Sequence, residues 1–306
     1  MSNQLTANFL WGNSVSSMQT EGAWNEGGKG MSVYDIREAG ENISDWKVAT
    51  DSYHRYREDF DLMQDLGMSC YRFQISWSRV CPQGDGAFND EGIAFYDRFI
   101  DDLIARGIEP MICLYHFDMP LALAQEYNGF NDRRVMDAFI RYGKKMIDCF
   151  GDRVKYWLTF NEQNIFHMPE AFRISGYMKG DQTLRELYEL QHHTMVAHMA
   201  LTEYLHQTKP GQLMGGMLAH QLVYPATCKP RDIFCAQQYD EFLNQNLLRV
   251  FAGQGYSPAV MAVVEQEGFG DIYRAEDLAL LARTRNDYMA FSYYASKTLD
   301  SDAIPE

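Results

Sequence analysis

Residues 70–77, CYRFQISW, decide the fold, because they are the second of six largely apolar runs spaced along the chain. An amphipathic segment follows at residues 90–106, and a third apolar run, PMICLYHF, occupies residues 110–117. A strand, a helix and another strand in this order predict parallel strands joined by a right-handed crossover. Because the runs are continuous rather than alternating, we expect strands that are buried on both faces.

The same alternation extends in both directions from this unit. The apolar runs cover residues 9–17, 70–77, 110–117, 154–160, 213–219 and 288–294, and the helical segments cover residues 51–67, 90–106, 132–150, 183–206, 231–251 and 274–283. No linker or low-complexity tract divides them, so we predict a single domain spanning residues 1–306. Either an open doubly wound sheet or a (β/α)8 barrel is compatible with this order.

The position of the polar residues separates these two architectures. The chain has no Gly-x-Gly-x-x-Gly after its first run and no Walker-type phosphate loop, which removes the main support for a nucleotide-binding sheet. Polar side chains instead stand at the ends of several different runs, namely Gln19, Arg72, His116, Asn161, Glu162 and Tyr294. A site assembled from many strand ends is typical of barrels. We therefore predict an α/β fold, an incomplete (β/α)8 TIM barrel with about six βα units.

Composition limits the possible partners and compartment. The net charge of −15 makes nucleic acid an unsuitable partner, although it leaves an anionic substrate possible. We see no signal peptide and no apolar run long enough to span a membrane. The six cysteines form no Cys-x-x-Cys pair and have no histidine at zinc-ligand spacing. We predict reduced thiols, no metal and a cytoplasmic protein.

Glu162 is the strongest candidate for chemistry. It follows the run WLTFN (residues 157–161), and a carboxyl at a strand tip among aromatic residues can act as a general acid. Asn161 beside it can bind a substrate hydroxyl. The alternative is that Glu162 only caps the following helix.

Arg72 and His116 each have a functional and a structural interpretation, whereas Gln19 has only a functional one and Asp118 a structural one. Arg72 lies within an apolar strand, where burial requires a partner, so we expect a carboxylate nearby, in either a site or a purely structural ion pair. His116 at a strand end can bind hydroxyls or transfer protons, or it can be a satisfied core histidine. The Gln19 amide combines a donor and an acceptor, which suits sugar recognition. Asp118 is interpreted as structural.

Five stretches together resemble glycoside hydrolase family 1, the β-glucosidase and 6-phospho-β-glucosidase family. They are FLWG (9–12), QTEGAW (19–24), YRFQISWSR (71–79), HFDMP (116–120) and TFNE (159–162). The resemblance implies hydrolysis of β-glycosides with retention, without a cofactor or metal. It implies that Glu162 is the acid/base, that Asn161, Gln19 and His116 bind sugar hydroxyls, and that Arg72 and Tyr294 orient the nucleophile. A second carboxylate, roughly 5 Å from the first, would attack the anomeric carbon.

The resemblance also has departures. Gln163 follows Glu162 where the family usually has Pro or another residue, Ser292 stands where Asn is usual, and Phe117 where many members have Trp. The family nucleophile belongs to a Thr-Glu-Asn-Gly-type motif on strand seven, but the only Glu-Asn here is Glu41-Asn42. We therefore expect the 306 residues alone to be inactive.

Two alternatives remain open beside this interpretation. One is a naturally shortened, non-catalytic sugar-binding or structural relative, and the other is an unrelated (β/α) hydrolase. Six strands also leave two sheet edges unpaired, which predicts self-association. Residues 114–120, 215–217 and 224–230 most resemble the bacterial 6-phospho-β-glucosidase branch, which makes a β-glucoside or a 6-phospho-β-glucoside the expected substrate.

Overall fold

The fold was analysed in a computed structural model that describes residues 5–6, 8–42, 45–166 and 174–304. Six parallel strands form one sheet in the order β1-β2-β3-β4-β5-β7, and two short parallel strands, β6 and β8, form a second sheet. The strands are β1 Gly12–Ser14, β2 Cys70–Gln74, β3 Glu109–Tyr115, β4 Tyr156–Phe160, β5 Leu213–His220, β6 Val223–Pro225, β7 Tyr288–Tyr293 and β8 Lys297–Leu299. Helices alternate with the six strands, which is the order of a partial (β/α)8 barrel.

The α-helices of the described residues surround this sheet. They are Ser17–Thr20, Ser52–Asp65, Trp77–Val80, Asp90–Ala105, Leu121–Tyr127, Arg133–Phe150, Leu184–Thr208, Pro230–Asp240, Asn246–Phe251, Pro258–Gln266 and Ala275–Arg283, with a π-helical turn at Glu241–Gln245. Side chains cap several of them: Asp132 accepts from the Arg134 amide, and Thr183 forms a capping box with Glu186.

The two faces of β2 show how the sheet separates core from site. Phe73 packs its ring 4.8 Å from that of Phe99 on the helix Asp90–Ala105. Arg72 and Gln74, on the opposite face, contact polar groups from neighbouring strand ends. Since side chains alternate along a strand, Arg72 and Gln74 lie on the face of β2 that points into the barrel, and Phe73 lies on the face that packs against the helices. The barrel interior at this level is therefore polar, whereas the layer beneath the helices is aromatic.

The pairing between strands brings their carboxyl ends to one side. Gly12 pairs with Cys70, Gln74 with Cys113, and Tyr115 with Phe160, all in parallel register. The segments that follow β1, β3, β4 and β7 consequently meet at the same end of the sheet, and they contain Gln19, His116, Asn161, Glu162 and Tyr294, whereas Arg72 lies within β2.

The predicted strands and long helices agree with the observed ones, but the short helices Ser17–Thr20 and Trp77–Val80 and the strands β6 and β8 were not predicted. All six predicted strands are present, within a few residues at their ends. The predicted helix at 231–251 is interrupted by the π-helical turn, and the helices Leu121–Tyr127 and Pro258–Gln266 were not predicted. Within the described ranges, no helix is both long and apolar enough to cross a membrane.

Candidate active site

Glu162 stands immediately after β4 in a left-handed backbone conformation, with φ +45° and ψ +55°. Its side chain is only 6% exposed. The Tyr294 hydroxyl, which follows β7, donates a hydrogen bond of 2.6 Å to its Oε1. The Glu162 side chain makes no capping hydrogen bond to the 3₁₀ turn Gln163–Ile165 that follows it. Left-handed geometry is uncommon for a residue with a side chain, and such strain is often found at functional sites.

Asn161 and Arg72 are brought together from different strands. Arg72 Nη2 donates to Asn161 Oδ1 at 2.9 Å, and both side chains are buried. The Asn161 backbone amide also donates to the Tyr115 carbonyl, which fixes the end of β4 against β3. The expected carboxylate partner of Arg72 is not found among the described residues, because Arg72 contacts an amide there and its Nε has no hydrogen-bond partner.

His116 follows β3 and is half-buried, and its Nδ1 has no hydrogen-bond partner among the described residues. Burial lowers the pKa of His116 well below its usual range, and the nearby positive charge of Arg72 lowers it further. The imidazole is therefore neutral at physiological pH and offers one donor and one acceptor nitrogen. This is not the satisfied core histidine of the alternative interpretation.

Gln19 lies on the short helix Ser17–Thr20 that follows β1, and its side chain is exposed. Its Oε1 accepts a hydrogen bond from the Ser16 hydroxyl at 2.6 Å. It makes no hydrogen bond with the other candidate residues in the described chain. Its amide nitrogen is consequently free to be directed toward a ligand at the strand ends, while Ser16 restrains the oxygen.

A buried polar network surrounds Asp118, and the sequence predicts only part of it. Asp118 is 1% exposed, its Oδ2 accepts from the Ser17 hydroxyl at 3.0 Å, and its Oδ1 accepts from the Gln74 amide. Burial raises the pKa of Asp118 to about 7, and the hydrogen bonds from Gln74 and Ser17 limit the rise. The feature of the sequence that could have predicted this network is Gln74, a second polar residue on the same strand face as Arg72.

The arrangement offers one carboxyl group in reach of a tyrosine hydroxyl, next to an amide, a guanidinium and a neutral imidazole. Such a group can donate and take back a proton, and the neighbours can bind hydroxyl groups. A covalent intermediate would require a second carboxylate. Within the described ranges, no group of three or more His, Cys, Asp or Glu residues is placed to hold a metal ion.

Comparison with known proteins identifies the family. The model of glycosyl hydrolase family 1 matches residues 1–306. The chain belongs to glycosyl hydrolase family 1. It is 36% identical to the aryl-phospho-beta-D-glucosidase BglC of Bacillus subtilis (strain 168), over 97% of this chain and 63% of that protein. It is 35% identical to the 6-phospho-beta-glucosidase AscB of Escherichia coli (strain K12), over 96% of this chain and 66% of that protein.

Two solved structures have a similar fold over most of the chain. A beta-glucosidase from Thermotoga maritima in complex with glucoimidazole superposes with a TM-score of 0.86 at 29% identity, covering 97% of this chain and 68% of that one. A second structure, from Alicyclobacillus herbarius, also gives a TM-score of 0.86, at 30% identity, over 96% of this chain and 67% of that one. These matches confirm the predicted family and the partial barrel. The chain spans 63% of the length of BglC and 66% of that of AscB.

Proposed function

We propose that this chain contains the acid/base part of a retaining β-glycosidase of the 6-phospho-β-glucosidase type, with Glu162 as the acid/base. The observation that supports this most is the position of Glu162, buried at the tip of β4 and hydrogen-bonded to Tyr294 at 2.6 Å. Family membership supplies the reaction class. A sugar that is phosphorylated as the cell takes it up reaches the cytoplasm, so we propose the cytoplasm as the location of this protein.

In the proposed reaction, the Glu162 carboxyl protonates the glycosidic oxygen while the bond to the anomeric carbon breaks. A carboxylate nucleophile attacks that carbon from the opposite side, and Glu162 then removes a proton from the water that releases the sugar. Asn161, Gln19 and His116 bind the sugar hydroxyls in this proposal. The neutral state of His116 suits this role, because it can both donate and accept.

Arg72 and Tyr294 are proposed to orient the nucleophile. In the structure they contact Asn161 and Glu162, respectively. Arg72 Nε has no hydrogen-bond partner in the described part of the chain, which supports the idea that a further acceptor belongs beside it. The sequence offers no Thr-Glu-Asn-Gly-type motif for this acceptor, since its only Glu-Asn is at residues 41–42. We therefore propose that the 306 residues alone do not complete the reaction.

The substrate proposal rests on the relatives. BglC and AscB are named for phosphorylated β-glucosides. The structural neighbour from Thermotoga maritima is named a beta-glucosidase without a phosphate. The higher identity to the phospho-specific proteins favours a 6-phospho-β-glucoside.

A chain extended at its carboxyl end with the last third of BglC tests the assignment of Glu162. We expect this fusion to cleave 4-nitrophenyl 6-phospho-β-glucoside with retention. Glu162→Gln should lower kcat by about 10²- to 10⁴-fold, because general acid–base catalysis contributes that much. The measurement is nitrophenol release, with the anomer of the first product determined by NMR.

Two controls make this test decisive. The exposed Glu126→Gln should leave kcat unchanged, and the unextended 306-residue chain should release no nitrophenol. A fusion that unfolds cooperatively yet has no activity would contradict the proposed function. Activity of the unextended chain that Glu162→Gln abolishes would show that a nucleophile is present within the 306 residues.

A further inference from the structure

A buried side chain, that of Asn164, ties the turn after β4 to the neighbouring strand β5. Asn164 is 2% exposed. Its Nδ2 donates a hydrogen bond to the Ala219 carbonyl at 2.9 Å, and its Oδ1 accepts one from the Ala219 amide at 2.8 Å. Because the Ala219 backbone offers one acceptor and one donor, it fixes the orientation of the Asn164 amide and occupies both of its ends. We call this pair of hydrogen bonds the β4–β5 clamp.

The β4–β5 clamp acts where strand pairing has ended. The parallel ladder between β4 and β5 stops at the pair of Leu158 with Gly215. On the opposite side, the pairing of β4 with β3 continues as far as Phe160 with Tyr115. The carboxyl end of β4 is therefore fixed to β3 by backbone pairing and to β5 through the side chain of Asn164.

The residue next to this clamp is Glu162, two positions before Asn164. Its backbone is left-handed, with φ +45°, and a residue with a side chain keeps that conformation only where its surroundings impose it. The Ile165 amide donates to the Glu162 carbonyl at 3.1 Å, so the turn that contains Asn164 closes directly on Glu162. Without the clamp, the backbone of Glu162 can relax, which moves its carboxyl group away from the Tyr294 hydroxyl, 2.6 Å away in the structure.

We propose that Asn164 is a positioning residue for Glu162, and that its two hydrogen bonds to β5 hold the Glu162 carboxyl where it protonates the glycosidic oxygen. This inference rests on the proposed function, in which Glu162 is the acid/base. Asn164 is not itself a catalytic residue, because both of its polar side-chain atoms are bonded to Ala219. A displacement of about 1 Å can lower a rate by about 10²-fold, so a residue that does not contact the substrate can control the reaction.

The titration of Tyr294 reports the position of Glu162 in the 306-residue chain itself. Burial raises the pKa of Tyr294, and its hydrogen bond to Glu162 raises it further. Asn164→Ala should therefore lower the pKa of Tyr294, as should Glu162→Gln, which removes the carboxylate. The measurement is carbon-13 NMR of the tyrosine Cζ atoms across pH, with the Tyr294 signal assigned by its loss in Tyr294→Phe. An unchanged Tyr294 pKa in Asn164→Ala would overturn the proposal.

A second test measures the acid step in the fusion with the last third of BglC. Phenyl 6-phospho-β-glucoside requires a proton on its leaving oxygen, whereas the 2,4-dinitrophenyl analogue releases a stable anion without one. Asn164→Ala should lower kcat/KM by about 10²-fold for the phenyl substrate and leave it unchanged for the dinitrophenyl substrate. Glu162→Gln should show the same selectivity. An equal loss for both substrates in Asn164→Ala would contradict a positioning role, because a general structural defect does not depend on the leaving group.

Asn246→Ala is the matched control. Asn246 is another fully buried asparagine, and its Oδ1 accepts from the Ser257 backbone amide at 2.9 Å. Its loss should change neither the Tyr294 pKa nor the selectivity between leaving groups. If it changes them as Asn164→Ala does, any buried asparagine has this effect and the proposal is wrong.

Two further comparisons make each outcome informative. Asn164→Leu keeps nearly the shape of the side chain without either hydrogen-bonding group, so it should behave as Asn164→Ala and replaces it if the smaller side chain prevents folding. If Glu162→Gln shows no selectivity between the two leaving groups, the proposed function fails. If Glu162→Gln shows it and the variants of Asn164 do not, the inference about Asn164 alone fails.

Discussion

Asp118 shows what a single buried carboxyl does to this protein. It joins the segments that follow β1 and β3 to the end of β2, because it accepts hydrogen bonds from Ser17 and Gln74. Its pKa is raised to about 7, mainly by burial, and Lys29, whose charge acts to lower this pKa, is paired with Asp35 at 2.7 Å. In the folded state Asp118 is therefore protonated over most of the acidic range.

This raised pKa predicts a stability that falls as the pH rises. The unfolded chain releases the Asp118 proton near pH 4 and the folded chain near pH 7, so the folded state binds more protons between these values. One pKa unit corresponds to about 1.4 kcal/mol, so a rise of about three units gives a loss of about 4 kcal/mol in the free energy of unfolding between pH 4 and pH 7. Asp118→Asn should remove this contribution and raise the free energy of unfolding at pH 8. Urea unfolding of both proteins at pH 5 and pH 8 measures the part of this loss between those values, about 3 kcal/mol for about two pKa units.

The control for this experiment is Asp85→Asn, whose side chain is 60% exposed. It should keep the wild-type difference between pH 5 and pH 8. The interpretation of Asp118 is wrong if Asp118→Asn and Asp85→Asn show the same pH dependence.

At the residue scale, the sequence located the polar side chains but did not predict their partners. The positions of Asn161 and Glu162 follow from the apolar run that precedes them, whereas Arg72, expected beside a carboxylate, contacts the Asn161 amide. Sequence spacing could not show that Tyr294 contacts Glu162 across 132 positions, because that contact depends on how far the sheet curves.

At the scale of elements, a buried network joins three helices of the outer layer. Asp277 accepts two hydrogen bonds from Arg133, at 2.7 and 2.6 Å, and contacts His192 Nε2 at 3.2 Å. His192 Nδ1 lies 2.9 Å from the Tyr256 hydroxyl. Burial acts to raise the pKa of Asp277, but the hydrogen bonds from His192 and Arg133 hold it below its usual range.

Removing Asp277 should weaken the contact between these helices. Asp277→Ala leaves Arg133 without its anion and His192 with a single partner, which costs about 3 to 5 kcal/mol for a buried pair. Asp271→Ala is the matched control, because Asp271 also pairs with an arginine, Arg185, at 2.6 Å, but is 68% exposed. It should cost about 0 to 1 kcal/mol. Equal losses in urea unfolding would contradict a structural role for the network.

The elements themselves were largely predictable, and the exceptions have physical causes. Helices with regular apolar spacing, such as Arg133–Phe150, follow from their periodicity and caps. The helix Pro258–Gln266 is short and apolar, so its period is hard to recognise. The π-helical turn Glu241–Gln245 inserts one residue per turn, which depends on packing rather than on local sequence.

At the scale of the whole molecule, the sheet has two unpaired edges in the described residues, β1 and β7. On β7 the side chains alternate: Tyr288, Ala290 and Ser292 are half-buried, whereas Met289, Phe291 and Tyr293 are exposed by 41, 65 and 51%. An alternating strand is unusual in a parallel sheet, where both faces are normally covered. The outward face of β7 is therefore an apolar surface beside free backbone donors and acceptors.

Such an edge pairs readily with another strand, and we predict that the chain self-associates through β7. Phe291→Lys places a charge in the centre of this strand, so it should shift the chain toward the monomer in light scattering coupled to size-exclusion chromatography. Ile104→Lys is the control, because Ile104 is also exposed (42%) but lies on the helix Asp90–Ala105, which connects β2 and β3, two strands that are paired on both sides. It should leave the assembly unchanged. A wild-type chain that remains a monomer at every concentration tested would show that the exposed face of β7 does not drive association. An equal shift by the two lysine variants would assign the effect to net charge instead of to the sheet edge.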